Sequence, residues 1–143
     1  MGAADRVFVR AKAPKKVPAV DHAKVLSVLL VEDEVLIRMS TADVLETQGH
    51  EVVEAGTGAE ALAILADRPV DILLADIGLP GMSGTELAVE ARKLHPGLPT
   101  IFATGHQNIP GLEELGLSDA ILLSKPYNDD ALERAIERIG AHE

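Results

Sequence analysis

The sequence predicts a doubly wound α/β domain with parallel strands covered on both faces. Three observations point there. Short apolar runs rich in Val, Ile and Leu recur along the chain, without the polar alternation of a half-exposed sheet. Segments of helical period alternate with them, and several open on capping residues. The length, 143 residues at 47% hydrophobic, suits one domain with a sizeable core.

Residues 1–24 read as a tail, and residues 25–143 as the domain. The tail is rich in Ala, Lys and Pro (Ala11-Lys-Ala-Pro-Lys-Lys-Val-Pro18), with no hydrophobic period and no signal-like apolar core. A disordered leader is the plain expectation, a basic anchor for an acidic partner or a membrane surface the sharper one. Val25–Val31 is the first strand. Glu34–Gln48 is a helix with Leu36, Ile37, Met39, Val44 and Leu45 as its apolar positions, stopped by Gly49. Glu51–Ala55 is the second strand. Thr57-Gly-Ala-Glu60 is a capping-box pattern opening a helix to about Asp67. Val70–Ala75 is the third strand, and Leu79-Pro-Gly-Met-Ser83 a turn. Ser83-Gly-Thr-Glu86 repeats the capping box and opens a helix to about His95. Thr100–Ala103 is the fourth strand. Gly105–Gly116, with Pro110 and three glycines, leaves room only for a short helix. Ala120–Leu123 is the fifth strand, and Asn128 caps a last helix with Leu132, Ile136 and Ile139 on one face.

Sheets of this kind bind ligands at the carboxyl ends of their strands. Those ends carry Glu32, Asp33 and Glu34 after the first strand, Asp76 after the third, Thr104 and Gly105 after the fourth, and Lys125 with Pro126 after the fifth. Taken singly each has an ordinary explanation: Glu34 a solvated helix start, Asp76 a turn initiator, Thr104 a strand residue, Lys125 a surface cation. Jointly they place acids, a hydroxyl and an ammonium on one edge, although Lys93 and Lys125 are the only lysines after the tail. Adjacent carboxylates raise one another's pKa unless a cation lies between them, and oxygen-only ligands suit Mg²⁺. A metal held by Asp33 and Asp76 leaves an Asp76 oxygen to attack a phosphoryl group, with Thr104, Lys125 and backbone amides near Gly78 and Gly105 holding the phosphoryl oxygens.

Charge and composition exclude other classes. The tail holds six Lys/Arg against Asp5 and Asp21, a net of +4; the rest carries a net of −14. So acidic a body is a poor phosphate-neutralising ligand, so no direct nucleic-acid binding is expected. No apolar run approaches a membrane span. With no Cys there is no disulfide or thiolate metal site, which permits a reducing compartment, and a cytoplasmic location is expected. No Gly-rich loop follows the first strand, and the five His show no metal-ligand spacing; His106 reads as a polar loop residue. Arg134 and Arg138 read as a solvated helix face.

Four segments in order, VLLVEDE at Val28–Glu34, LLADIGLPGMSG at Leu73–Gly84, IFATGH at Ile101–His106 and LSKPY at Leu123–Tyr127, resemble the receiver domain of two-component response regulators. The resemblance covers the chain from about Val25 onward. It implies a (βα)5 flavodoxin- or chemotaxis-receiver-like fold with strand order 2-1-3-4-5. It implies Asp76 as phosphoacceptor, Glu32 and Asp33 as the acidic pair for Mg²⁺ with the Gly78 carbonyl as a further ligand, and Thr104 and Lys125 as the phosphate-sensing hydroxyl and lysine. A Lys125–Pro126 bond is often cis in such domains. The implied partners are a sensor histidine kinase or a histidine phosphotransfer protein, then a downstream protein target, with a homodimer possible. Many receivers carry an aromatic residue where this chain has Leu122, so switching by aromatic rotation is not expected here. The Phe102-Ala-Thr-Gly105 run is similar to a stand-alone subgroup with a FATGUY-type motif, with His106 and Gln107 departing from it.

Three functional classes stand at this point. The first is a phosphorylatable receiver that is not an enzyme beyond its own phosphoryl transfer and dephosphorylation. The second is a Mg²⁺-dependent phosphatase with an aspartyl nucleophile, against which Gly78 stands where a second acid is usual. The third is a pseudo-receiver that binds partners without phosphorylation, against which Asp33, Asp76, Thr104 and Lys125 are all retained.

Overall fold

The computed structural model describes residues 8–9, 25–105 and 108–140. Six strands form one sheet: β1 (Phe8–Val9), β2 (Ser27–Val31), β3 (Glu51–Ala55), β4 (Ile72–Asp76), β5 (Thr100–Thr104) and β6 (Ile121–Ser124). Their order is β1-β3-β2-β4-β5-β6. The five strands from β2 onward are all parallel, and counted from β2 they run 2-1-3-4-5, as the sequence implied. β1 is an addition: it pairs antiparallel with β3, Phe8 opposite Glu54 and Val9 opposite Val53. The other residues assigned to the tail, together with His106 and Gln107, lie outside the described residues.

Four helices cover the sheet: α1 (Val35–Thr47), α2 (Gly58–Asp67), α3 (Gly84–Leu94) and α4 (Asp129–Gly140). Strand alternation divides the core in two. Leu29, Val31, Val53, Leu73, Ala75 and Phe102 point to the face carrying α2 and α3. Val28, Leu30, Val52, Ile72, Leu74 and Ile101 point to the face carrying α1 and α4. Each of these strand residues is essentially buried, which is why the strands read as continuous apolar runs.

The capping signals hold. Thr57 Oγ1 accepts the Glu60 N–H at 3.1 Å. Ser83 and Glu86 form a reciprocal box, at 3.2 Å and 3.1 Å. Asn128 Oδ1 accepts the Ala131 N–H at 2.8 Å.

Two expectations change. The first concerns α1, where Leu36 is 80% exposed and Met39 46% exposed, while Thr41, Ala42 and Leu45 are buried. The helix starts beyond the sheet's carboxyl edge, so its first turn has no strand beneath it. The second concerns the connection after β5, which forms hydrogen-bonded turns over 110–119 and, among the described residues, no helix. Gly111 and Gly116 adopt positive φ there (83° and 76°), which a helix does not accommodate. Arg92 of α3 anchors this connection. Its guanidinium donates to Leu98 O, Gly116 O, Thr100 Oγ1 and both carboxylate oxygens of Asp119, at 3.0–3.4 Å.

Candidate functional site

The site follows from register. Val31 pairs with Ala75 across β2 and β4, Asp76 with Ala103 across β4 and β5, and Thr104 with Ser124 across β5 and β6. The next residues of each strand therefore emerge side by side, and Glu32, Asp33, Asp76, Thr104 and Lys125 converge on one edge. The Lys125 N–H donates to Thr104 O at 2.9 Å, tying the last two together. The Lys125–Pro126 bond is cis.

Asp76 is the centre. Its Oδ1 accepts from Lys125 Nζ at 3.2 Å and from the Gly78 N–H at 3.3 Å, and its side chain is largely shielded. Both of these bonds fall on Oδ1. Lys125 Nζ also lies 3.9 Å from Glu32 Oε1. Burial opposes the charge on Lys125, but Asp76 and Glu32 together outweigh it and hold its pKa above the ordinary lysine value. The ammonium is thus fully charged at neutral pH.

Glu32 is buried and Asp33 exposed. Burial first, and then the nearby Asp76 and Asp33 charges, push the Glu32 carboxyl above its usual range; the Glu34 N–H bond works the other way. That N–H donates to Glu32 Oε2 at 3.0 Å, just before α1, whose N-cap residue Glu34 makes no side-chain capping bond of its own. The Glu32 carbonyl accepts from Arg38 at 2.7 Å, and Arg38 Nε pairs with buried Glu54 at 3.2 Å.

Glu32, Asp33 and Asp76 each offer an oxygen, all within 4.8 Å of one another. A hard divalent cation fits this all-oxygen donor set. Thr104 is buried at the mouth of β5 and Gly78 exposed beside Asp76. Every site residue expected from the sequence is accordingly on this edge.

Sequence reasoning missed two supports. Arg38 sits four residues after Glu34 and signals nothing by spacing. Gly84 was read only as part of a turn and cap, yet a Cβ there would lie 2.5 Å from Asp76 O. Arg134 and Arg138 are exposed as expected, but line an open cleft of about 400 Å³ with Leu122, Tyr127 and Ala131. Tyr127 OH and Thr41 Oγ1 are 2.8 Å apart and join α1 to this region.

With this geometry in hand, residues 28–137 match the family described as response regulator receiver domain. The chain belongs to that family. This receiver is 37% identical over 133 residues to the sensor kinase CckA of Brucella abortus, covering 87% of this chain and 14% of the kinase. Among solved structures, chemotaxis protein CheY4 of Vibrio cholerae superposes with a TM-score of 0.73 at 28% identity, covering 81% of this receiver and 99% of that chain. The receiver domain of NtrX from Brucella abortus gives 0.73 at 34% identity, again over 81% and 99%. The curated relatives are longer proteins, of which this chain spans from 13% to 51%. No helix among the described residues is long and apolar enough to cross a membrane.

Proposed function

We infer that this receiver is phosphorylated on Asp76, with Mg²⁺, by a phosphohistidine of a sensor kinase or phosphotransfer protein, and that it signals by contact with a downstream protein. The observation that carries the reading is the Lys125 ammonium 3.2 Å from Asp76 Oδ1, beside three carboxylates within 4.8 Å. In the transfer, an Asp76 carboxylate oxygen attacks phosphorus. The P–O bond forms as the P–N bond breaks, and the released imidazole nitrogen takes a proton from solvent. Lys125 and Gly78 hold Oδ1, which leaves Oδ2 as the attacking atom. Glu32, Asp33 and the Gly78 carbonyl, with Asp76, would hold Mg²⁺, which offsets carboxylate charge and draws in phosphoryl oxygens. Thr104, at the mouth of β5, meets a phosphoryl oxygen, and Lys125 meets another. A donor protein reaches the site over the first turn of α1, where Val35, Leu36 and Met39 expose an apolar surface.

The phosphatase alternative has no second acid to activate water, because Gly78 stands two residues beyond Asp76. The pseudo-receiver alternative leaves the assembled Asp76–Lys125 pair without a role. Intact-mass spectrometry after incubation with acetyl phosphate and Mg²⁺ tests the reading. One added phosphoryl group is expected on the native chain and none on Asp76→Asn. Labelling of Asp76→Asn refutes the acceptor assignment; no labelling of either chain favours the pseudo-receiver, and turnover of a phosphoester favours the phosphatase.

A further inference from the structure

Lys125 leaves the sheet with little main-chain support. It follows β6, an edge strand of four residues whose one ladder partner among the described residues is β5. The Lys125 N–H donates to Thr104 O, and the next main-chain bond along the chain is the one Asn128 O accepts from the Leu132 N–H. Between them, among the described residues, the main chain of Pro126 and Tyr127 makes no hydrogen bond. The acids that Lys125 meets stand on strands further in. Asp76 ends β4, while Glu32 and Asp33 follow β2 and lead into α1. In the sheet, β4 and β5 lie between β2 and β6, which are therefore three strand spacings apart, about 14 Å.

One side-chain bond crosses that distance. The hydroxyl of Tyr127, two residues after Lys125, lies 2.8 Å from Thr41 Oγ1 on α1, and either group can donate. Thr41 is buried, and the Tyr127 ring packs on the core beneath α1 and α4, so both ends of the bond are fixed. We propose that Tyr127, through its bond to Thr41, is a positioning residue that holds Lys125 against Asp76, a role that rests on Asp76 being the phosphoacceptor. The ring packs with or without its oxygen; the hydroxyl adds direction, tying the lysine's segment to the helix that carries the acids. Burial pushes the Tyr127 phenol above its usual pKa, and the Glu32 and Asp76 charges act the same way, against the Thr41 bond and Lys125. The phenol therefore stays neutral at neutral pH. A neutral anchor does not compete with Asp76 and Glu32 for the ammonium, which remains 3.2 Å from one and 3.9 Å from the other. Without the bond, residues 125–127 keep the ring's packing but lose their polar tie to α1, and Lys125 Nζ samples positions away from Asp76 Oδ1.

Three variants and two measurements test the proposal on the full chain. Tyr127→Phe removes the hydroxyl and keeps the ring, Thr41→Val removes the partner at nearly constant shape, and Thr41→Ser keeps a hydroxyl. Initial rates of labelling by acetyl phosphate with Mg²⁺ fall about five- to tenfold in Tyr127→Phe and in Thr41→Val, less than a full 1 Å misplacement would cost. The double variant falls no further than either single one, because the two hydroxyls act as one bond. Thr41→Ser labels at close to the native rate. NMR of chains carrying ¹³C at lysine Cε reads Lys125 without any phosphoryl transfer: in Tyr127→Phe its resonance moves toward that of exposed Lys93, which itself stays in place. A Tyr127→Phe chain that unfolds at lower urea but keeps the native labelling rate and the native Lys125 resonance has lost packing alone, and overturns the proposal. Losses that multiply in the double variant overturn the hydrogen bond as its cause. A native chain that takes no label, with a Lys125 resonance that still moves in Tyr127→Phe, refutes the acceptor reading and leaves the hold on Lys125 in place; an unmoved resonance refutes both.

Discussion

Gly84→Ala adds one methyl group where α3 meets the chain just after Asp76. Gly84 is buried at the first helical position, and its N–H donates to Ile77 O at 3.0 Å. The new Cβ would lie 2.5 Å from Asp76 O, 2.9 Å from Ile77 Cα and 3.1 Å from Asp76 C. All three atoms are backbone, so no side chain can rotate out of the way. Relieving the shortest contact to an ordinary 3.4 Å moves Asp76 and α3 apart by 0.9 Å. Two effects of opposite sign compete. Alanine favours a helix over glycine by up to about 1 kcal/mol, less at a first-turn position. Overpacking a fixed site costs about 1–3 kcal/mol. The overpacking wins, with a net loss of about 1–2 kcal/mol and a fall of several degrees in Tm. Moving the acceptor by nearly 1 Å slows phosphoryl transfer by about a hundredfold. Urea unfolding reads the first effect, and initial rates of labelling by acetyl phosphate read the second. Gly78→Ala serves as the stability control, since a Cβ there meets nothing within 4 Å. A Gly84→Ala chain as stable as the native one and labelled at the native rate refutes the packing argument.

Other perturbations separate the remaining contributions. Asp33→Ala removes one member of an acidic trio whose oxygens lie within 4.8 Å; relief of repulsion of about 1 kcal/mol at most, reduced by solvent screening, raises the metal-free Tm by a few degrees. The same variant binds Mg²⁺ more weakly in a titration, and a lower metal-free Tm would contradict the crowding. His50 is buried, its Nδ1 accepts the Leu26 N–H at 3.2 Å, and burial holds its pKa below the usual imidazole value. The unfolded chain therefore takes up the proton first, so His50's contribution is complete above about pH 6.5 and is lost as pH falls below it. His50→Asn keeps an acceptor in place without titrating, so its unfolding free energy changes less between about pH 7 and pH 5 than that of the native chain. Arg92→Lys loses the planar fork that reaches four residues and destabilises the fold by about 1–3 kcal/mol, with faster amide exchange over 110–119 before the core opens.

The parallel sheet and its functional edge were legible because both depend on local signals. Buried parallel strands must be apolar throughout, and the residues after them must emerge together, so Glu32, Asp33, Asp76, Thr104 and Lys125 could be placed without side-chain detail. Periodicity was silent where tertiary position decides. Leu36 and Met39 have helical spacing, but whether a strand lies beneath the first turn of α1 is set by strand length, not by the helix. Phe8–Val9 is too short to show any period, and only the open edge of β3 gives it meaning. Gly84 and Arg38 act through contacts with distant main chain, which no motif spacing encodes.

Glu32 is gripped at both ends. Arg38 holds its carbonyl at 2.7 Å and the Glu34 amide holds its carboxylate at 3.0 Å, while its neighbour Asp33 is exposed. The rotational freedom of Glu32 is therefore surrendered during folding, whereas exposed Asp33 would surrender its own only on binding an ion.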